Sequence, residues 1–121
     1  MKMLLSLAVV AALGAAPAFA ACTYPKAPDS IPDGSVSTLE QMLAGQRSVK
    51  GFDAAITEYQ TCLEKEHNDA LAANPQLTEE QKKERASILT QKMNAAVDEA
   101  QGLADRLNAQ IRVFREKNAK K

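Results

Sequence analysis

Apolar residues return along most of this chain at the spacing of helices that bury one face. From Met42, steps of seven reach Val49, Ile56, Leu63 and Ala70, while Phe52 and Tyr59 occupy the second apolar position of the same heptads. Two such positions per heptad form the seam of a packed, coiled-coil-like helix. A second stretch repeats the pattern through Leu89, Met93, Ala96 or Val97, Ala100, Leu103, Leu107, Ile111 and Phe114. Between the two, Asn74-Pro75 is a break, because proline disfavours helical geometry in the residue before it.

The boundaries follow from capping chemistry. Helix 1 is predicted over about residues 37–73, opening on Ser37-x-x-Glu40 or Thr38-x-x-Gln41, either of which makes a capping box. Helix 2 is predicted over about 78–118, opening on Thr78-x-x-Gln81, with Glu79 and Glu80 suited to the positive end of its dipole. A connection this short makes the pair a long antiparallel hairpin, so the fold class is all-α. With the turn centred near Gln76, Phe52 faces Ala100, Ile56 faces Ala96 and Gly45 faces Leu107, so that large meets small. Tyr59 then faces Met93, and Leu63 faces Leu89. Glycine inside a helix costs about 1 kcal/mol relative to alanine, so Gly45 and Gly51 are expected to mark close approach by Leu107 or by the preceding segment. From Glu64 to Arg85 apolar residues become sparse, which predicts a charged, weakly packed hairpin tip. A two-helix unit buries little for its size, and a homodimer completing a four-helix core is one way to bury more.

The segments before the hairpin change the picture. Residues 1–20 join Lys2, an apolar run from Met3 to Ala16 and the ending Ala18-Phe19-Ala20, the layout of a secretory signal peptide cleaved between Ala20 and Ala21. The run is too short for a spanning helix, and no membrane span is expected later in the chain. What remains, residues 21–121, is read as a single helical domain with an extended arm over 21–36. Pro25, Pro28 and Pro32 stiffen the arm, and Pro32-Asp33-Gly34 forms a tight turn before helix 1. The expected location is periplasmic or secreted.

Cys22 and Cys62 are the two cysteines of the chain. Cys22 is either the acylated first residue of a lipoprotein or half of a disulfide. Phe19 stands where a lipoprotein leader usually has leucine, which argues against a lipid anchor at Cys22. An even cysteine count in an exported chain argues for a bridge to Cys62. Reach agrees. From Ser37 to Cys62 a helix rises about 38 Å, and an extended arm from Cys22 to Ser37 spans about 46 Å. An arm folded back antiparallel along helix 1 therefore reaches Cys62.

Charge and chemistry narrow the function by exclusion. The chain has 15 Lys and Arg against 15 Asp and Glu. Such a balance lacks the basic footprint of a nucleic-acid-binding protein. Tryptophan is absent, so the core is aliphatic and thin. His67 is the single histidine, in the charged stretch Leu63–Asp69 with no serine beside it, so no triad assembles around it. Glu64-x-x-His67 has the spacing of carboxylate-bridged metal sites, but no second copy exists in the chain. No cofactor and no catalytic residue is expected, and the chain is read as a non-enzyme.

Two resemblances add to this. The run CTYPKAPDSIPDGS, followed by YQTCLEKE, resembles a Cys-Tyr-Pro…Tyr-x-x-Cys-Leu-Glu motif of small exported proteobacterial helical proteins of unassigned function. It covers nearly half of residues 21–121 and brings no activity with it. LTEEQ, residues 77–81, resembles the Leu-Thr-x-x-Gln motif of periplasmic stress chaperones of the Spy/CpxP type, with STLEQ at 37–41 as a second candidate copy. That likeness implies a cradle-shaped helical dimer and partner contacts at Leu39, Leu77, Thr78 and Gln81. The expected function is a protein-interaction or structural module with an unknown protein partner. The alternative is a stress chaperone or adaptor.

Overall fold

A computed structural model describes residues 21–120. The signal peptide and its Ala20–Ala21 cleavage point are expectations that lie outside these residues or at their edge. The chain forms two helices, α1 over Leu39–Ala73 and α2 over Glu79–Ala119, packed as an antiparallel hairpin with residues 21–38 as an extended arm. The all-α hairpin read from the periodicity is therefore the fold.

Each helix begins at a reciprocal capping box. Thr38 Oγ1 accepts from the Gln41 N–H at 3.2 Å, and Gln41 Oε1 accepts from the Thr38 N–H at 2.8 Å. Thr78 and Gln81 repeat the arrangement at 3.1 and 3.0 Å. Of the two boxes open to helix 1, the one on Thr38 forms, so the helix starts at Leu39 and Ser37 stays outside it. α1 ends at Asn74, whose N–H donates to Leu71 O at 3.3 Å and whose side-chain amide donates to Ala70 O at 2.8 Å. Pro75 prevents continuation. Because Thr78 caps α2, the connection is residues 74–78, one longer than the spacing predicts.

Val49, Phe52 and Ile56 of α1 pack with Ala96, Ala100, Leu103 and Leu107 of α2. Met42 and Leu63 extend the buried row of α1 at either end. The pattern left Ala96 and Val97 undecided; Ala96 is fully buried and Val97 is 46% exposed. The large-against-small pairing lets two helices approach closely without voids. Past Leu63 on α1 and before Ala96 on α2 no residue is fully buried: Ala70, Leu71, Leu89 and Met93 are half-buried, and the surface pairs Lys65–Asp69 and Lys82–Glu79 each lie within one helix.

The two glycines of α1 part company. A Cβ on Gly45 would lie 2.6 Å from the Cδ and Cγ of Pro32 and 3.7 Å from Leu107 Cδ1, so glycine makes the notch in which the arm crosses α1. A Cβ on Gly51 would meet nothing within 4 Å. The expected close approach at Gly51 is absent because the position turns away from the seam.

The arm-bearing face as the candidate functional site

Residues 21–36 run back along the hairpin, covering one side of the seam. Cys22 is bonded to Cys62, with their Cα atoms 5.8 Å apart. Ten residues later Pro32 reaches Gly45, so the arm is antiparallel to α1, as its length allows. Ala27 and Ile31 pack against the core cluster from this side.

Polar contacts hold each end of the arm. Near the disulfide, the Tyr24 ring meets Tyr59 edge-on, with centroids 5.1 Å apart. Its hydroxyl donates to Glu99 Oε2 on α2. At the other end Asp33 organises the turn, its Oδ1 accepting from the Ser35 N–H at 2.8 Å and the Ser35 hydroxyl at 2.6 Å. Those two bonds favour the charged carboxylate and hold its pKa below the ordinary value. Gly34 is buried against α2, where its N–H donates to Gln110 Oε1 at 2.9 Å. Lys117 Nζ donates to Ser35 O and closes the turn onto the end of α2.

Gly34 is needed for space. No glycine among the described residues has a positive φ. A Cβ at Gly34 would lie 2.0 Å from Gln110 O and 2.8 Å from Phe114 N, both backbone atoms of α2. The turn thus sits directly on helix backbone.

Tyr24 gives the arm a spectroscopic reporter. Partial desolvation of the phenol, although the residue stays 41% exposed, followed by its hydrogen bond to Glu99 and the charge of that carboxylate, pushes its pKa up from 10.0 to about 12. The raised value favours the neutral phenol in the folded state. Its contribution to stability is therefore complete below pH 10 and disappears as pH rises toward 12. In an alkaline titration followed by phenolate absorbance, Tyr24 is expected to ionise near pH 12. Glu99→Gln should bring that transition down. A Tyr24 that ionises at its ordinary value of 10.0 would mean that the phenol is not docked.

The residues expected to touch a partner are not brought together. Leu39 opens α1 at the arm end and is 60% exposed. Leu77, Thr78 and Gln81 lie beside the turn at the other end of the hairpin. The hydroxyl of Thr78 and the amide oxygen of Gln81 are engaged in the cap. His67 lines a shallow groove near the tip with Leu63, Glu66, Arg85 and Lys92. Among the described residues no group of three His, Cys, Asp or Glu side chains is placed to hold a metal. No helix among them is long and apolar enough to cross a membrane.

Sequence reasoning missed Glu99, Gln110 and Lys117 as the residues that dock the arm. Each is a polar residue of a long helix, Glu99 and Lys117 exposed and Gln110 half-buried, and nothing local distinguishes it. The one signal in the sequence is Gly34, a turn residue that also serves as the contact. Comparison of the chain with protein families, with curated proteins and with solved structures returned no match.

Proposed function

We propose that this chain is an exported, non-enzymatic module that binds a protein partner through the fixed surface formed by its arm and hairpin. The observation that carries this reading is the fixation of the arm at both ends, by the Cys22–Cys62 bond and by the Gly34 turn seated on α2. Ordering a segment before binding removes an entropic cost that a loose segment meets on association. A disulfide across a chain of this size also fits an oxidising compartment. The grooves near the tip and beside the arm are shallow and open, which favours contact with a macromolecular surface over enclosure of a small substrate.

The second reading is a chaperone of the Spy/CpxP type. Its support is the pair of Thr-x-x-Gln capping boxes at the two helix starts and the exposed Leu39 and Leu43 beside the first. Aggregation of an unrelated unfolded protein separates the readings. At equimolar ratio the oxidised protein is expected to suppress aggregation weakly or not at all. Strong suppression, lost on Leu39→Asp or Leu77→Asp, would replace the dedicated module with the chaperone.

A further inference from the structure

The arm occupies one side of the seam, and the opposite side is an open groove. Lys50, Asp53 and Thr57 of α1 form one rim, Val97, Gln101 and Ala104 of α2 the other, and buried residues of the core form the floor. Steps of seven place Leu43 on the flank of Lys50 and Leu39 on that of Asp53. Both leucines are exposed. On α2, the positions spaced alternately by three and four residues from Ser87 to Ile111, through Val97 and Ala104, carry no charge. This side of the molecule is thus a long, weakly polar face with two opposite charges near its middle, Lys50 and Asp53, and a third, Glu64, at its tip-ward end.

Those charges identify what covers it. Lys50 and Asp53 lie one turn apart on α1, and neither takes part in an ion pair among the described residues. Across the groove Val97 projects, while Ala104, one heptad on, leaves space. The register that sets Gly45 opposite Leu107 also sets the midpoint of Lys50 and Asp53 opposite the midpoint of Val97 and Ala104. One two-fold axis across the groove, perpendicular to the helices, therefore exchanges Lys50 with Asp53 and Val97 with Ala104 together.

We propose that this face forms an isologous homodimer, two hairpins stacked antiparallel about that axis. Lys50 meets the partner's Asp53, Asp53 meets the partner's Lys50, and Val97 fills the space over the partner's Ala104. A two-fold interface requires this self-complementarity. An axis parallel to the helices would lay α1 on the partner's α2, leaving Lys50 and Asp53 covered without opposite charges, which is costly. The overlap runs from the level of Leu39 to that of Glu64, about 38 Å by about 20 Å for two helices, with Glu64 at its outer edge beside the partner's Leu39, where the carboxylate keeps contact with water. That is about 750 Å² per copy, close to the roughly 800 Å² of a standard specific interface. The arm lies on the other side, so the dimer leaves the arm-bearing face free and the proposed partner surface independent of it.

The test is a charge exchange, read by light scattering and sedimentation of the disulfide-intact protein over a concentration series. The parent is expected to be a dimer. Lys50→Glu and Asp53→Lys should each weaken it by about tenfold or more, since each change places two like-charge pairs in the interface. The double variant should recover the dimer, and an equimolar mixture of the two single variants should form a heterodimer tighter than either homodimer. Val97→Glu should give a monomer with unchanged helical circular dichroism. All three sites are exposed, and the dichroism signal identifies any variant that fails to fold. A parent monomeric at every concentration would overturn the proposal. So would a dimer indifferent to the three substitutions, or single variants that weaken the dimer without rescue on mixing.

Discussion

Replacing both cysteines with serine is expected to lower the melting temperature by on the order of 20 °C while leaving helical content at low temperature nearly unchanged. The Cys22–Cys62 bridge closes a loop with a sequence separation of 40 residues. In the chain-entropy account such a closure contributes roughly 4 kcal/mol, by restricting the unfolded chain. For a domain of this size each kcal/mol moves the melting temperature by about 4–8 °C. Helicity should persist because both helices lie outside the arm and bury Phe52, Ile56, Ala96 and Leu103 against one another. Thermal melts followed by circular dichroism, on the parent and the double serine variant, make the comparison. Loss of most helical signal at low temperature would show that the arm is part of the core and more than a tether. Intact mass of the parent should be two hydrogens below the reduced form and carry no acyl chain; an acylated Cys22 would remove the premise.

Gly34→Ala should be nearly as damaging, by an unrelated route. The new methyl would meet Gln110 O at 2.0 Å and Phe114 N at 2.8 Å. Neither atom can move without deforming α2, so the turn must lift away. Overpacking of this kind costs about 3 kcal/mol, and the lifted turn also loses the Gly34–Gln110 bond. A fall of about 15 °C in melting temperature is the expected result. Gly51→Ala and Gly102→Ala supply the contrast, because a methyl at either position meets nothing within 4 Å. Each should stabilise the protein by up to about 1 kcal/mol through helix propensity. If Gly34→Ala melts like the parent, the turn is not seated on α2 in solution. The cysteine and Gly34 changes act on the same arm, so their combined effect should be smaller than additive.

Several parts of this architecture were legible before any coordinates. The heptad spacing from Met42 to Leu63 gave α1 its buried face, and Thr78-x-x-Gln81 gave α2 its start, because periodicity and capping are local properties. The reach of the arm to Cys62 followed from two rises per residue. Even the register of the hairpin was readable, since a short connection leaves little freedom and Gly45 can face Leu107 in one alignment.

The docking of the arm was not legible. Tyr24 finds Glu99 across 75 residues and Gly34 finds Gln110 across 76, and nothing within either segment names its partner. The choice of Thr38 over Ser37 as cap, and of Ala96 over Val97 as core, likewise depended on which way the helix turns against its neighbour. Leu39 and Leu77 carry similar local motifs yet lie at opposite ends of the hairpin. The sequence by itself determined the helices, their breaks and their pairing, because these arise from contacts within a few residues or across one short turn. Tertiary structure decided which face the arm covers and which it leaves open, because that depends on the rotation of two helices about their axes and on polar contacts between segments distant along the chain.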